Sequence, residues 1–153
     1  MSAADGLLLA CSGFLLAVLW MDLIFDSQVR AVPRGPLPEP VLASISAYYR
    51  RATTTSRPMS RLIAAVMSIL VAALVYQATC GRDPLWLTGV TAALAGAAIL
   101  TAGLVTVPNA VRLGGRADGP AERSRLGRSI YRDHLLCLAA MAAFLVLRLA
   151  AVW

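Results

Sequence analysis

Few side chains in this chain can do chemistry. Asp22 and Asp26 sit four residues apart at the end of one apolar run, Asn109 follows another, and His134, the single histidine, precedes a third. A carboxylate inside a membrane helix is costly and usually faces a protein partner. Asp22 is therefore a candidate base or ligand anchor, and its structural alternative is an ion pair with Arg61 or Arg112 or simple access to the headgroups. His134 suits proton transfer near neutral pH, and the Asn109 amide can polarise an oxygen. Tyr48, Tyr49 and Tyr131 are candidates to stack on an aromatic ring, with Arg61 and Arg112 as polar contacts.

Several chemistries are excluded. There is no lysine for a Schiff base, and Cys11, Cys80 and Cys137 lie too far apart for a redox dithiol. His134 and Cys137 share a helix face, but a metal site wants three or four ligands. A lone histidine cannot supply bis-histidine haem within one chain. No metal and no cofactor is expected. Neither a phosphate-binding loop, a dinucleotide fingerprint, a zinc-protease helix nor a nucleophile elbow occurs.

The elements that must position these groups follow from composition. The chain has 153 residues, 59% of them apolar and only 14% charged. A soluble domain is roughly 45–50% apolar and about 25% charged. Four apolar runs, 6–25, 62–79, 85–107 and 135–153, approach or exceed the roughly 20 residues that cross a hydrocarbon core. Without period-two alternation they cannot be barrel strands, and backbone groups in lipid must bond within a helix. The expected fold is all-α: a four-transmembrane-helix bundle forming a single integral membrane domain over 1–153. Pro108 is expected to stop the third span, and Arg148 interrupts the fourth. Cys11 has a faint lipoprotein-box context but no preceding arginine, so the first run is expected to persist as a helix.

Charge sets the expected orientation. The formal net charge of +6 comes entirely from arginine, with six arginines in the segment 26–61 and six in 108–134. The positive-inside rule places both loops in the cytoplasm and both termini outside, in a plasma (inner) membrane. These loops are expected to meet anionic lipid headgroups of the bilayer and not nucleic acid. Val41, Leu42, Ile45, Tyr48 and Tyr49 recur at helical spacing, so a short interfacial helix is expected from Pro40 through Arg51 in the first cytoplasmic loop. Gly89, Gly96 and Gly103 are seven apart and form a small-residue stripe. Such a stripe lets another helix approach closely, within the chain or in a homo-oligomer or larger membrane assembly. Polar groups gather at the cytoplasmic ends of all four spans, where a site is expected. The outer boundary offers only Tyr76, Gln77, Arg82, Asp83 and Arg148 beside Trp86 and Trp153.

The segment Thr106-Val107-Pro108-Asn109-Ala110-Val111-Arg112-Leu113, followed by Arg128-Ser129-Ile130-Tyr131-Arg132-Asp133-His134, resembles small four-span membrane proteins of the anthrone oxygenase-like group. In that group a proline-asparagine pattern ends the third span, and an aromatic, basic and polar cluster opens the fourth. The likeness covers the C-terminal part of the chain and the span layout, with Tyr131 where the group commonly carries tryptophan. It implies a four-span fold and carries the group's polar pattern onto Asn109 and His134. Two functions follow. One is a non-catalytic or accessory membrane subunit. The other is a small oxygenase-like enzyme acting on a hydrophobic aromatic or quinone-like molecule at the cytoplasmic interface. Convergence of Asp22, Asn109 and His134 on one lipid-facing pocket would favour the enzyme.

Overall fold

The computed structural model describes residues 2–55, 57–81 and 83–152, and every regular element among them is helical. Arg82 and Trp153, named above at the outer boundary, lie outside the described residues, as does the side chain of Arg57. Six α-helices follow in order: α1 Ala3–Asp26, α2 Glu39–Arg50, α3 Arg57–Cys80, α4 Leu85–Thr101, α5 Val107–Gly115 and α6 Pro120–Val152. A 3-10 turn, Ser27–Ala31, follows α1, and π-helical turns occupy Arg51–Thr55 and Ala102–Thr106. Four stretches are long and apolar enough to cross a membrane: Ala3–Ala31, Pro58–Cys80, Leu85–Gly115 and Pro120–Val152. The chain reads as a multi-pass integral membrane protein.

Local chemistry explains where the helices start. Ser2 caps α1 reciprocally: the Asp5 amide donates to Ser2 Oγ at 3.2 Å, and the Ser2 amide donates to Asp5 Oδ2 at 2.8 Å. That satisfies two of the amides a helix start leaves open. Pro40 sits in the first turn of α2 and Pro120 opens α6, positions where a missing N–H costs nothing.

Two boundaries differ from expectation. Pro108 does not stop the third span, because the helical path continues through it to Gly115. Proline removes one backbone donor and crowds the carbonyl four residues back. The π turn just before it absorbs that conflict, with the Val107 amide reaching back five residues to the Ala102 carbonyl. The fourth helix begins at Pro120, well before Leu135. Its 33 residues amount to about 50 Å at 1.5 Å per residue, more than the ~30 Å of a hydrocarbon core. Its charged first turns therefore project past the apolar run.

The buried side chains form two cores. One lies among the long helices: Leu8, Cys11 and Leu15 of α1, Leu70 and Leu74 of α3, Ala95 and Ala98 of α4, and Cys137, Met141 and Phe144 of α6. In this core α6 packs against α1 and α4, and α1 against α3. The opposite faces carry exposed large apolar side chains, among them Trp20, Trp86, Leu104, Leu136 and Val146. The second core lies at the arginine-rich end, where Leu42, Ile45 and Tyr49 of α2 meet Ala110 and Leu113 of α5 and Leu126 and Ile130 of α6. The expected short helix thus exists, as Glu39–Arg50. However, its apolar face is covered by protein and is not open to a headgroup layer.

Gly114 makes that second core possible. A Cβ there would lie 2.9 Å from the Arg50 nitrogen and 3.1 Å from its Cα, so α2 and α5 touch backbone to backbone. A Cβ at Gly115 meets nothing within 4 Å. Gly114→Val should lower unfolding stability in detergent by about 1–3 kcal/mol, the usual cost of overpacking, while Gly115→Ala should change it little. Equal effects at the two positions would show that the close approach does not matter.

Candidate functional site

The polar groups nearest to chemistry lie between the two cores. Asp22 and Asp26 are four residues apart and so project from one face of α1. Tyr48 donates its hydroxyl to Asp22 Oδ1 at 2.5 Å, and Tyr49 donates to Asp26 Oδ1 at 2.7 Å. From α6, the His134 ring lies between the carboxylates: Nδ1 is 2.7 Å from Asp26 Oδ2, and Nε2 is 3.8 Å from Asp22 Oδ2. A carboxylate accepts, so Nδ1 carries the proton toward Asp26 and the ring's tautomer is fixed by that bond. Asp26 is 0% exposed, and Tyr49 and His134 are buried. Tyr48 is further held by stacking on Phe25, with ring centroids 4.1 Å apart.

Chemically, this is a row of phenol, carboxylate, imidazole, carboxylate and phenol, hydrogen-bonded from Tyr49 through Asp26 to His134 and bridged to the Tyr48–Asp22 pair by the 3.8 Å contact. It joins α1, α2 and α6. The two carboxylates approach the imidazole from different ring nitrogens and do not converge on one point. Among the described residues no group of three His, Cys, Asp or Glu side chains is placed to hold a metal ion. Burial and the adjoining carboxylates push both the Tyr48 and Tyr49 hydroxyls well above the usual tyrosine range. Both remain protonated donors, and their ionisation would set a phenolate against a carboxylate.

The sequence candidates divide. Asp22, Tyr48, Tyr49 and His134 are brought together. Asn109 is half-buried on α5 and makes no side-chain hydrogen bond among the described residues, so the anticipated convergence of Asp22, Asn109 and His134 is not met in full. The ion pair proposed for Asp22 is with neither arginine. Arg112 pairs with Asp118 at 3.1 Å and Glu122 at 3.2 Å, and Arg61 is exposed with no carboxylate partner among the described residues. Tyr131 packs on the edge of the second core. A Cβ added at Gly89, Gly96 or Gly103 meets nothing within 4 Å, so no neighbouring helix of this chain packs closely on the stripe. Two open cavities, of about 630 and 420 Å³, are lined by residues outside the Asp–His–Tyr chain.

A second buried polar group sits at the opposite end, where sequence reasoning expected no site. Arg148 of α6 is 1% exposed. It donates to Asp83 Oδ2 at 2.5 Å and to Asp5 Oδ1 at 2.9 Å, and Gln77 Nε2 donates to the same two oxygens at 3.1 and 3.0 Å. The signal was present: an arginine within an apolar helix must find partners, and Asp83 and Gln77 were the polar groups at its depth. Asp5 was hidden because 143 residues separate it from Arg148. With the geometry described, comparison with known proteins adds no relative: no family model, no curated protein and no solved structure matches the chain.

Two predictions follow from the two polar groups. Tyr49→Phe should cost about 1–3 kcal/mol, because it removes one partner from a fully buried carboxylate, and Tyr48→Phe should cost less, because Asp22 is partly exposed. A tyrosine with a raised folded-state pKa lends stability that is complete below about pH 10 and lost as pH rises further. The double variant should therefore lose less stability than the parent between neutral and strongly alkaline pH, read by thermal unfolding in detergent. Parallel pH curves for the two proteins would contradict this assignment. At the other end, Arg148→Met strands two carboxylates and should cost about 3–5 kcal/mol. Asp83→Asn, which leaves one ion pair intact, should cost less, and the reverse order would refute the clamp.

Proposed function

We propose that this chain is a non-catalytic membrane protein, an accessory subunit that acts by packing against neighbours in the bilayer. The observation that carries this reading is that Asp22, Asp26 and His134 spend their polar atoms chiefly on one another and on Tyr48 and Tyr49. Tyr48 and Tyr49 each donate to one carboxylate, and His134 Nδ1 donates to the second oxygen of Asp26 with Nε2 3.8 Å from that of Asp22, which suits a lock between helices better than a substrate site. Supporting it, the Gly89, Gly96 and Gly103 stripe leaves the closest-approach face of α4 free for another helix. In this reading the long helices form a four-span bundle in a plasma membrane, with both termini outside. The arginine-rich loops 26–61 and 108–134 are cytoplasmic. The α2 helix lies at the inner interface as part of a folded cap, and the arginines meet anionic headgroups.

A second reading keeps one observation in its favour. His134 Nε2 stands 3.8 Å from Asp22 Oδ2, and the Asp22 side chain is 18% exposed, so a proton could pass from this edge of the ring. This is the oxygenase-like enzyme that the resemblance implies, acting on an aromatic or quinone-like molecule.

Purification in mild detergent separates the two. The accessory reading expects Gly96→Leu to reduce the mass of the assembled particle, while Asp22→Asn and Asn109→Ala leave it unchanged and mass spectrometry finds no retained small molecule besides lipid. A retained aromatic or quinone-like compound that Asp22→Asn releases would reverse the choice.

A further inference from the structure

We infer that α6 and the turn after α1 build a binding site for a phosphate oxyanion, at the level where the fourth apolar run begins. The open cavity of about 630 Å³ at the arginine-rich end is lined by Arg125, Arg128, Ser129 and Arg132 of α6 and by Gly35 and Pro36 of the facing turn. Arg125, Arg128 and Arg132 fall at helical spacings of three and four, so they share one face. Among the described residues no acidic side chain lines this cavity.

The three guanidinium groups are not equally neutralised. Arg125 is bidentate to Glu122, at 2.6 and 2.8 Å through Nη2 and Nε, which leaves its Nη1 without a carboxylate among the described residues. Arg132 has only a long contact of 3.5 Å to Asp133, and its side chain is 72% exposed. Arg128 meets no carboxylate among the described residues. It donates from Nη2 to the carbonyls of Val32 at 2.8 Å and Gly35 at 2.7 Å. Its Nε is buried with no hydrogen-bond partner. A buried guanidinium donor without an acceptor is costly, and planar guanidinium forks suit phosphate oxygens.

The Arg128 bonds also shape the recess. They tie the turn to α6, and Gly35 takes the left-handed conformation that turn needs, at φ +81°. Depth suggests the source of the phosphate. Arg132 stands three residues before Leu135, where the apolar run of α6 begins, so a lipid phosphate would arrive at this height with its acyl chains along the helix. A free phosphate group offers the same oxyanion chemistry from solution. The site does not depend on whether the Asp–His chain is catalytic. Only the lipid source rests on the proposed placement of this end at a headgroup layer.

The test uses the full chain in zwitterionic nanodiscs and detergent, titrated with phosphatidylglycerol, phosphatidylcholine or inorganic phosphate and read by native mass spectrometry. Arg132→Gln should weaken phosphatidylglycerol binding about fivefold, the usual worth of one basic residue near a charged surface, with phosphatidylcholine unaffected. Arg125→Gln should act in the same direction. Arg61→Gln, on α3 and outside the cavity lining, should weaken binding less than either and should not change competition by inorganic phosphate. Arg128→Gln risks loosening the turn, so Arg132→Gln and Arg125→Gln decide. If inorganic phosphate competes with phosphatidylglycerol and responds to the same substitutions, the site stands with a soluble phosphate as its source. Equal binding of both probes by the parent, Arg125→Gln and Arg132→Gln would overturn the site. Impermeant thiol labelling of Gly119→Cys in a Cys80→Ser background, since Cys80 is itself an exposed thiol, tests membrane placement separately in intact cells: labelling from outside would remove the lipid source and leave the arginine result intact.

Discussion

A carboxylate sealed from solvent must be met on every side, and Asp26 is that carboxylate. It is 0% exposed at the last turn of α1. Burying an ionised group without partners would cost several kcal/mol, so the fold has to deliver donors to it. One comes from α2 through Tyr49 and the other from α6 through His134. These helices are distant in sequence, and a shift of either by one turn would leave the carboxylate unmet. The requirement therefore fixes the register of three elements at once. Asp22, one turn earlier, repeats the arrangement in a more exposed setting with Tyr48.

This interaction also explains why two cores can coexist. The core among the long helices is built from leucine, alanine, cysteine, one methionine and one phenylalanine. The core at the arginine-rich end depends on the amphipathic faces of α2 and α5 and on the early turns of α6. Between them the chain needs a layer that is neither lipid-like nor water-like, and the phenol, carboxylate and imidazole groups make it. Above that layer the cap is joined by further polar links. Arg123 holds Glu39 at 3.0 Å, and the Leu37 amide donates to Ser124 at 2.9 Å.

Much of this was legible in the sequence, for identifiable reasons. The four apolar runs announced four long helices because lipid leaves a backbone little choice. The spacing of Leu42, Ile45 and Tyr49 announced α2, since a face at helical period is a local property. What covers that face was not legible, because α5 was concealed by reading Pro108 as a stop. A proline is a strong helix breaker only where the preceding turn cannot widen. No residue pattern in Ala102–Thr106 signalled that it would. The joining of Asp22 with His134 was half visible, as both lay at one depth. The role of Asp26 was not, because a residue at a helix end looks solvated until another element covers it. The isolation of the α4 glycines from the other helices of the chain depends on helix rotation, which a near-uniform apolar sequence does not encode.

The distribution of polar groups then has a common logic. Within lipid, apolar contact offers helices little reason to prefer each other over acyl chains, so association depends on close packing and polar contacts. In the long-helix core α4 contributes only the alanines Ala95 and Ala98 to the fully buried set, with Leu94 and Ile99 packed against its edge. Specificity is therefore delegated to the two ends. At one, His134 and two aspartates align α1, α2 and α6; at the other, Arg148 collects Asp5, Asp83 and Gln77 and aligns α1, α3, the connection into α4 and α6. Because α1 and α6 carry side chains in both clamps, the two helices are fixed against each other at both ends, and their axial offset is set by charge pairs while packing sets their separation. The α4 helix has no side chain in either clamp. It is held by its packing against α6 and by its short connection from α3, while Gly89 and Gly96 face no close neighbour within the described residues.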